Sequence, residues 1–363
     1  MTTRADHRPA AADAPPETDA GSVPNLRFSF GDAHRRVEAG GWAREVTVRE
    51  LPIATTLAGV NMALEPGAIR ELHWHKQAEW AYMLSGRARI TAIDRDGGGF
   101  VDDVGEGDLW FFPAGIPHSI QGLAGGCEFL LVFDDGGFSE NATFSLCDWL
   151  AHTPAEVLAQ NFGVSVADAR DRPDGERYIF PGAVPSAPAG PARRAARECF
   201  TFQLLESAPI RAPGGRVRIA DATNFPVATT VAAALVEVDP GGLRELHWHP
   251  DADEWQYYVS GRARMTVFAA EGRARTFDYG AGDVGYVPHA MGHHVENTGD
   301  EPLRFLELFR SDRFADVSLH QWLAVTPPEL LHEHLRPGAT LTNALTATKR
   351  PVVDGGPGGG AGP

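Results

Sequence analysis

Two histidines separated by one residue, with a glutamate downstream, occur twice in this chain of 363 residues. The first copy begins at His73 and His75 and reaches Glu79, and the second reads HWHPDADE and ends at Glu254. Imidazole nitrogens and carboxylate oxygens bind divalent transition metals, and alternate residues of a strand project from one face. Each copy therefore predicts three ligands of a metal centre.

A fourth ligand is predicted from a later segment of each half. His118 in FPAGIPHSI is the candidate in the first half, and His293 in VPHAMGHHV is its counterpart, with His294 as the alternative. A single such motif more often marks structural histidines, whereas its recurrence with a matched later histidine favours a metal. An octahedral ion on four protein ligands keeps two positions open, which favours manganese or iron over closed zinc. The predicted sets are His73, His75, Glu79 and His118, and His247, His249, Glu254 and His293.

The repetition extends well beyond the candidate ligands. GAIRELHWH returns as GGLRELHWH, GEGDLWFFP as GAGDVGYVP, and DWLAHTPAEVL as QWLAVTPPELL. A period of about 170 residues is too long for a solenoid repeat and indicates two whole domains. We predict a disordered tail over 1–25, a first domain over 26–182, a linker over 183–197, a second domain over 198–350 and a flexible tail over 351–363.

Within each copy, short runs of alternating apolar residues are bounded by glycine and proline, as at Val60, Met62 and Leu64 before Pro66-Gly67. This pattern is typical of a β-sandwich or barrel. TPAE, which begins at Thr153, and TPPE, which begins at Thr326, predict helices with threonine as the N-cap.

The composition narrows the classes of partner. The net charge of −16 at pH 7 argues against nucleic acid and anionic membranes. Three cysteines without CxxC spacing give no disulfide framework, and the first 25 residues lack an apolar run. We therefore expect a cytoplasmic protein without a membrane anchor.

The spacing of the candidate ligands resembles the two motifs of the cupin superfamily. The first motif fits from Gly67 to Gly86 and again from Gly241 to Gly261. The second fits around His118, although Gly122 stands where that motif has asparagine, and it fits around His293 with a longer internal gap. The resemblance implies an all-β fold of two cupin barrels (double-stranded β-helix or jelly-roll) in tandem, each followed by helices.

RELHWHKQAEWAYML, GEGDLWFFPAGIPHSIQ and SENAT are similar to the bicupin oxalate decarboxylases, and the resemblance runs from about Phe28 to Leu335. It implies Mn²⁺ in both domains and conversion of oxalate to formate and CO2, with dioxygen as a catalytic co-substrate. It also implies a homo-oligomer, either a trimer or a hexamer.

The same resemblance implies roles for residues around the metals: Arg70 for the substrate, Glu140 on the SENAT lid for proton transfer, and Arg244 and Glu307 as their counterparts in the second half. On spacing alone, each arginine lies on the strand face opposite the histidines unless the strand bends. Glu140 alone would read as a solvated loop carboxylate. Ala142 replaces a serine of the usual lid sequence.

Two alternatives remain open. An oxalate oxidase would share the ligands and produce peroxide with CO2, and the lid glutamate favours decarboxylation because it can deliver a proton to carbon. A non-catalytic metal-binding bicupin is the alternative from another class, and the eight candidate ligands argue against it.

Overall fold

The structure is a computed structural model that describes residues 15–186, 195–336 and 338–355. The predicted all-β fold with two tandem barrels and terminal helices is confirmed. The first half contains β1 (Arg27–Ser29), β2 (Arg35–Glu38), β3 (Gly41–Val46), β4 (Ala58–Leu64), β5 (Ile69–Trp74), β6 (Glu79–Ile93), β7 (Gly99–Gly105), β8 (Asp108–Phe112), β9 (His118–Phe133), β10 (Phe144–Ser145), α1 (Leu146–Ala151), α2 (Ala155–Phe162), α3 (Val166–Arg170) and β11 (Ile179–Phe180).

The second half repeats this order. Its elements are β12 (Thr201–Gln203), β13 (Ile210–Ala212), β14 (Gly215–Ala220), β15 (Ala232–Val238), β16 (Leu243–Trp248), β17 (Glu254–Ser260), β18 (Arg262–Phe268), β19 (Ala274–Gly280), β20 (Asp283–Val287), β21 (Gly292–Asn297), β22 (Leu303–Phe309), β23 (Val317–Ser318), α4 (Leu319–Val325), α5 (Pro328–Leu335), α6 (Ala339–Ala344) and β24 (Val352–Val353).

The sheets are antiparallel. In the first barrel the long strands β6 and β9 pair along their length and join β12-β8-β6-β9-β4-β3-β2 in one sheet. In the second barrel the equivalent strands are interrupted, which gives one sheet ordered β1-β20-β17-β22-β15-β14-β13 and another ordered β19-β18-β21-β16-β23. In both barrels the strand that carries the paired histidines lies next to the strand that carries the later histidine.

Each barrel takes one edge strand from the other half of the chain. Strand β1 pairs with β20 of the second barrel, with Phe28 opposite Val284. Strand β12 pairs with β8 of the first barrel, with Phe202 opposite Leu109. The predicted boundaries at 26 and 198 are therefore corrected. The short strands that follow them, β1 and β12, are edge strands in the sheet of the opposite barrel.

The predicted tails also need correction where the structure describes them. Asp19 accepts a hydrogen bond from the Thr276 backbone N–H at 2.9 Å, and Val23 is buried, so residues 15–25 pack on the second barrel. Strand β24 pairs with β16, so residues 351–355 are ordered as well. Residues 1–14 and 356–363 of the predicted tails, and residues 187–194 of the predicted linker, lie outside the described residues.

A shared apolar core joins the barrels. Trp80 and Phe111 from the first half pack in the same cluster as Trp255 and Tyr286 from the second, and each is fully buried. Such aromatic side chains dominate the energetics of a core because of their large buried area. A Cβ at Gly59 would lie 2.5 Å from the Trp255 ring, so only glycine permits this approach.

The helices start differently from the prediction. Helices α2 and α5 have Pro154 and Pro327 at the N-cap, and no side chain caps either helix. The Thr153 hydroxyl instead donates to the Trp149 carbonyl of the preceding helix, so the predicted threonine caps are wrong. Among the described residues, none of the helices has the length and apolar character needed to span a bilayer.

Candidate metal centres

A β-bulge places the arginine and the histidines on the same side of strand β5. Arg70 pairs with Ile120 and His73 pairs with His118, and the register shifts between these two pairs. An extra residue in one strand reverses the alternation beyond it. Arg70 and His73 are therefore both buried, whereas Leu72 between them is 48% exposed. Strand β5 therefore has the bend that the sequence analysis required for Arg70 to lie on the same face as the histidines.

Strand β16 repeats this irregularity. Arg244 pairs with Val295 and His247 with His293, again with a register shift between the pairs. Arg244 is fully buried, as are the histidines. The duplication has thus preserved a backbone irregularity as well as the residues that it positions.

The predicted ligands converge in each barrel. One potential ligand atom from each member of a set lies within 4.8 Å of the others, and all the side chains are buried. Three neighbouring strands contribute to each set, which explains how residues distant in sequence meet. The two sets are His73, His75, Glu79 and His118, and His247, His249, Glu254 and His293. His294 instead lies beside Glu296, with its Nε2 2.9 Å from a carboxylate oxygen.

Backbone carbonyls fix the orientation of the six ligand histidines. The Nδ1 of His73 lies 2.6 Å from the Glu71 carbonyl oxygen, and that of His118 lies 2.8 Å from the Ile116 carbonyl. The Nδ1 of His249 contacts the Ala315 carbonyl oxygen in the same way. The remaining ligand histidines make equivalent contacts with backbone carbonyls: His75, His247 and His293. A neutral ring that donates from Nδ1 presents its Nε2 lone pair to a metal. The sequence motif could not reveal these contacts, because their acceptors are backbone carbonyl groups.

The glutamates are oriented by different partners in the two centres. The Trp110 indole N–H donates to Glu79 Oε1 at 3.0 Å. The Gln256 amide donates to Glu254 Oε1 at 2.8 Å and in turn accepts from the Tyr258 hydroxyl. In both cases the second carboxylate oxygen faces the histidines. Sequence analysis did not identify Trp110 or Gln256, because nothing in the motif distinguishes them from core residues.

The electrostatics of the first centre favour a cation. Burial lowers the pKa of His73 well below its ordinary value, and the neighbouring Arg70 lowers it further, so the ring is neutral. Burial alone would raise the pKa of Glu79, but the His118 and His75 rings hold it below its ordinary value. A neutral imidazole and an ionised carboxylate are the protonation states that metal binding requires.

Buried atoms without hydrogen-bond partners show that the donor set fits a metal. The Nε2 atoms of His118, His247, His249 and His293 have no hydrogen-bond partner among the described residues. Buried polar atoms are normally satisfied, so several unpaired nitrogens around a shared centre indicate a ligand that completes them. The set combines nitrogen and oxygen donors in the manner of manganese or iron sites.

A buried ion pair lies beside the first centre. The SENAT segment forms a 3-10 turn over Glu140–Ala142, and Glu140 Oε2 lies 3.0 Å from Arg70 Nη2. Burial raises the pKa of Glu140, although Arg70 opposes the shift. The Arg70 guanidinium also stacks on Tyr178 at 4.4 Å. The solvated-loop interpretation of Glu140 is therefore wrong, since its side chain is only 5% exposed.

The lid turn separates the first centre from an outer cleft of about 470 Å³. Glu140 and Tyr178 form its floor, and Arg36, Arg49 and Glu45 line its wall. The buried Arg70–Glu140 pair therefore lies next to a cleft that is lined mainly by charged side chains. Tyr178 and Glu45 were not predicted, because they come from segments without a motif.

The second centre has a different arginine environment. Arg244 Nε donates to Glu307 Oε1 at 2.9 Å, so the two residues that the resemblance names for the second half are in contact. Arg244 Nη2 donates to Asp316 Oδ2 at 2.7 Å, a residue that sequence analysis did not single out. The catalytic role predicted for Glu307 and the substrate role predicted for Arg244 remain predictions.

The tryptophans between the histidines point away from the centres. Trp74 stacks on Phe144 at 5.6 Å and meets Trp149 edge to face, and Trp248 meets Trp322. These contacts pack the two tryptophans against the helices that follow each barrel.

Comparisons with known proteins agree with this geometry. The cupin family model matches residues 28–170 and 202–340. The chain is 61% identical to oxalate decarboxylase OxdC of Bacillus subtilis (strain 168) over 344 residues, covering 93% of this chain and 89% of that protein. It is 45% identical to a probable oxalate decarboxylase of Arthroderma benhamiae, covering 87% and 80%.

Solved structures of the Bacillus subtilis oxalate decarboxylase superpose with a TM-score of 0.91 at 60% identity, covering 93% of this chain and 91% of theirs. One of these structures was described in a study of the Mn(II) centres of that enzyme. The fold and the paired ligand sets define a two-barrel metalloprotein, and the chain belongs to the cupin family. Within that family it groups with the two-domain oxalate decarboxylases.

Proposed function

We propose that this chain is a manganese-dependent oxalate decarboxylase that converts oxalate to formate and CO2. The observation that carries the proposal is the buried Arg70–Glu140 pair beside His73, His75, Glu79 and His118. It combines an anion-binding group and a proton carrier at a predicted metal centre. The identity of 61% to OxdC across both barrels supports the same conclusion.

The two ligand sets would each hold one Mn²⁺. Bound manganese would supply positive charge and one-electron chemistry next to the substrate, with dioxygen as the catalytic co-substrate. The neutral His73 ring and the ionised Glu79 carboxylate described above are in the protonation states that metal binding requires.

Arg70 binds and orients the substrate. Its planar guanidinium matches a carboxylate, and its Nη1 has no hydrogen-bond partner among the described residues. Burial in a water-excluded site strengthens this interaction. Oxalate would thus replace part of the contact that Arg70 now makes with Glu140.

Glu140 moves the proton. The ionised carboxylate takes the remaining proton of hydrogen oxalate, CO2 leaves as the carbon–carbon bond breaks, and the carboxyl group returns that proton to the remaining carbon. The products are formate and CO2, with no net oxidation. A raised pKa suits a group that must be protonated in one step and ionised in the next.

The remaining assignments follow from surface and charge. A homo-oligomer, as a trimer or hexamer, is supported by the exposed Trp149 and Trp322 on the terminal helices, which are 62% and 55% exposed. The net charge of −16 supports an enzyme without nucleic-acid or membrane partners, and three cysteines without CxxC spacing suit the predicted cytoplasmic location.

The alternative activity is oxalate oxidation to peroxide and CO2. The buried Glu140 argues against it, because an oxidase needs no proton delivered to carbon. Incubation with oxalate under air, with formate, CO2 and peroxide measured together, separates the two. Formate and CO2 in near-equal amounts with little peroxide support the decarboxylase, and dominant peroxide overturns it.

Metal analysis tests the two-centre assignment. The purified protein should contain two manganese ions per chain, and His73→Ala or His247→Ala should each reduce this to one. Metal-replete protein without a divalent ion would contradict the proposal and favour a non-catalytic bicupin.

A further inference from the structure

The arginines of the two centres differ in how many of their donors are free. Arg70 pairs with one carboxylate, that of Glu140, and leaves its Nη1 without a hydrogen-bond partner among the described residues. Arg244 donates from all three nitrogens: Nε to Glu307, Nη1 to the Pro351 carbonyl and Nη2 to Asp316. The first arginine has a nitrogen that is free to bind a carboxylate, whereas every nitrogen of the second already has a partner.

Asp316 occupies the position that Thr143 holds in the first half. Strand β10 pairs with β5 through Phe144 opposite Trp74, and strand β23 pairs with β16 through Val317 opposite Trp248. The residue before each strand is therefore equivalent. The Thr143 hydroxyl is neutral and has no hydrogen-bond partner in the described part of the chain.

The carboxylates of the second centre are held in place. Glu307 lies in the middle of β22, between Ala234 on one side and Gln256 on the other. The Asp316 side chain is 2% exposed and also pairs with Lys349. Glu140, in contrast, lies on a short turn that borders an open cleft. A ladder strand cannot move aside for a substrate, whereas a surface turn can.

The two arginines also differ in the number of carboxylates that contact them. Among the described residues, Glu140 is the carboxylate that contacts Arg70, and it lies on a short turn. An anion that approaches Arg244 meets Glu307 and Asp316, both buried and both within 3.5 Å of the same guanidinium. Repulsion between like charges is strong in a poorly hydrated interior.

We propose that Asp316, together with Glu307, saturates Arg244 and closes the second metal centre to carboxylate ligands. Oxalate binding is thereby confined to the first centre, and Asp316 is a specificity-determining residue of the duplicated fold. This inference rests on the proposed role of Arg70 as the substrate arginine. It gives the two chemically identical ligand sets different access to the substrate.

Formate binding to the manganese-loaded protein tests the proposal without turnover. Broadening of the carbon signal of ¹³C-formate by Mn(II) gives its affinity. In an Arg70→Ala background, where the first arginine is absent, formate should bind at least about tenfold more weakly than to the wild type. Adding Asp316→Ala should restore binding at the second centre, whereas the matched change Thr143→Ala should not.

The reciprocal variant keeps the test decisive if Asp316→Ala fails to fold or loses manganese. Thr143→Asp in the otherwise native protein places a carboxylate beside Arg70 and should weaken formate binding by at least about tenfold. Unchanged formate affinity in Thr143→Asp would overturn the proposal. Absence of binding in a manganese-replete Arg70→Ala/Asp316→Ala variant would overturn it as well, as would tight binding in Arg70→Ala alone.

Turnover of oxalate, measured in parallel, separates this inference from the proposed function. Wild-type protein that binds formate as expected but produces none from oxalate would contradict the proposed function alone. Normal decarboxylation combined with no effect of Asp316→Ala or Thr143→Asp would contradict the inference alone.

Discussion

The backbone N–H of Glu140 donates a hydrogen bond of 2.9 Å to Glu45 Oε1. Glu45 lies on strand β3, so a rigid strand holds the turn that carries the proposed proton carrier. Its other oxygen pairs with Arg49. Glu45 therefore anchors the lid in the position where Glu140 contacts Arg70.

Replacing Glu45 with alanine should loosen this lid. A hydrogen bond to a charged acceptor contributes about 1.5–3 kcal/mol, so kcat/KM for formate production should fall by about tenfold or more. Glu45→Gln keeps an acceptor and should retain most of the activity. Steady-state kinetics with oxalate checks both variants, and equal losses in the two would contradict a role as hydrogen-bond acceptor.

Glu140→Ala should abolish most formate production. Positioned acid–base groups contribute about 10²–10⁴-fold to rate, and no other described carboxylate pairs with Arg70 in the first centre. Glu176→Ala is the control, because Glu176 lines the same cleft but pairs with Arg36 instead. Undiminished decarboxylation by Glu140→Ala, with its manganese content intact, would remove the assigned role.

The metal-free protein should lose stability as the pH falls below 6.5. Burial lowers the pKa of His73 and His247 in the folded chain, while the unfolded chain still binds protons near the ordinary value of 6.5. The unfolded state then holds more protons, so each histidine reduces the free energy of unfolding by about 1.4 kcal/mol per pH unit in this window.

Urea unfolding after chelation, followed between pH 7 and pH 5, measures this slope. His73→Gln combined with His247→Gln should make it shallower, whereas His152→Gln, at an exposed position just after α1, should leave it unchanged. An identical slope in wild type and the double variant would show that these two histidines do not carry the effect.

Gly59→Ala should destabilise the contact between the barrels. The new methyl group would meet the Trp255 ring at 2.5 Å, and this indole is fully buried and cannot move aside. Overpacking of this kind costs about 1–3 kcal/mol. Gly280→Ala is the matched control, since an added Cβ there has open space. Comparable urea midpoints for the two variants would contradict the tight approach.

The sequence predicted the repeated parts of the molecule well. Ligand residues follow a fixed spacing that recurs, so the convergence of His73, His75, Glu79 and His118 could be anticipated. The inward direction of Arg70 could not, because it depends on a bulge that only the pairing of two distant strands defines. A regular strand would have pointed Arg70 outward.

Other features depend on contacts between distant segments. Glu45, Tyr178 and Asp316 reach the centres through tertiary packing and belong to no repeated motif. The exchanged strands were missed for the same reason, since a short strand gives no local sign of which sheet it will join. At Gly122, where an asparagine was expected, a Cβ would lie 2.7 Å from the Glu65 carbonyl oxygen, so local backbone packing explains the departure.

The exchange of β1 and β12 has a consequence for how the duplicated halves relate to each other. Each half supplies an edge that the other needs, at Phe28 opposite Val284 and at Phe202 opposite Leu109. Cutting the chain between the barrels would leave two fragments with mutually complementary ends, which should reassociate rather than behave as independent proteins. Each barrel therefore depends on the other half of the chain for one edge strand. Removal of either half would expose an edge of the sheet in the half that remains.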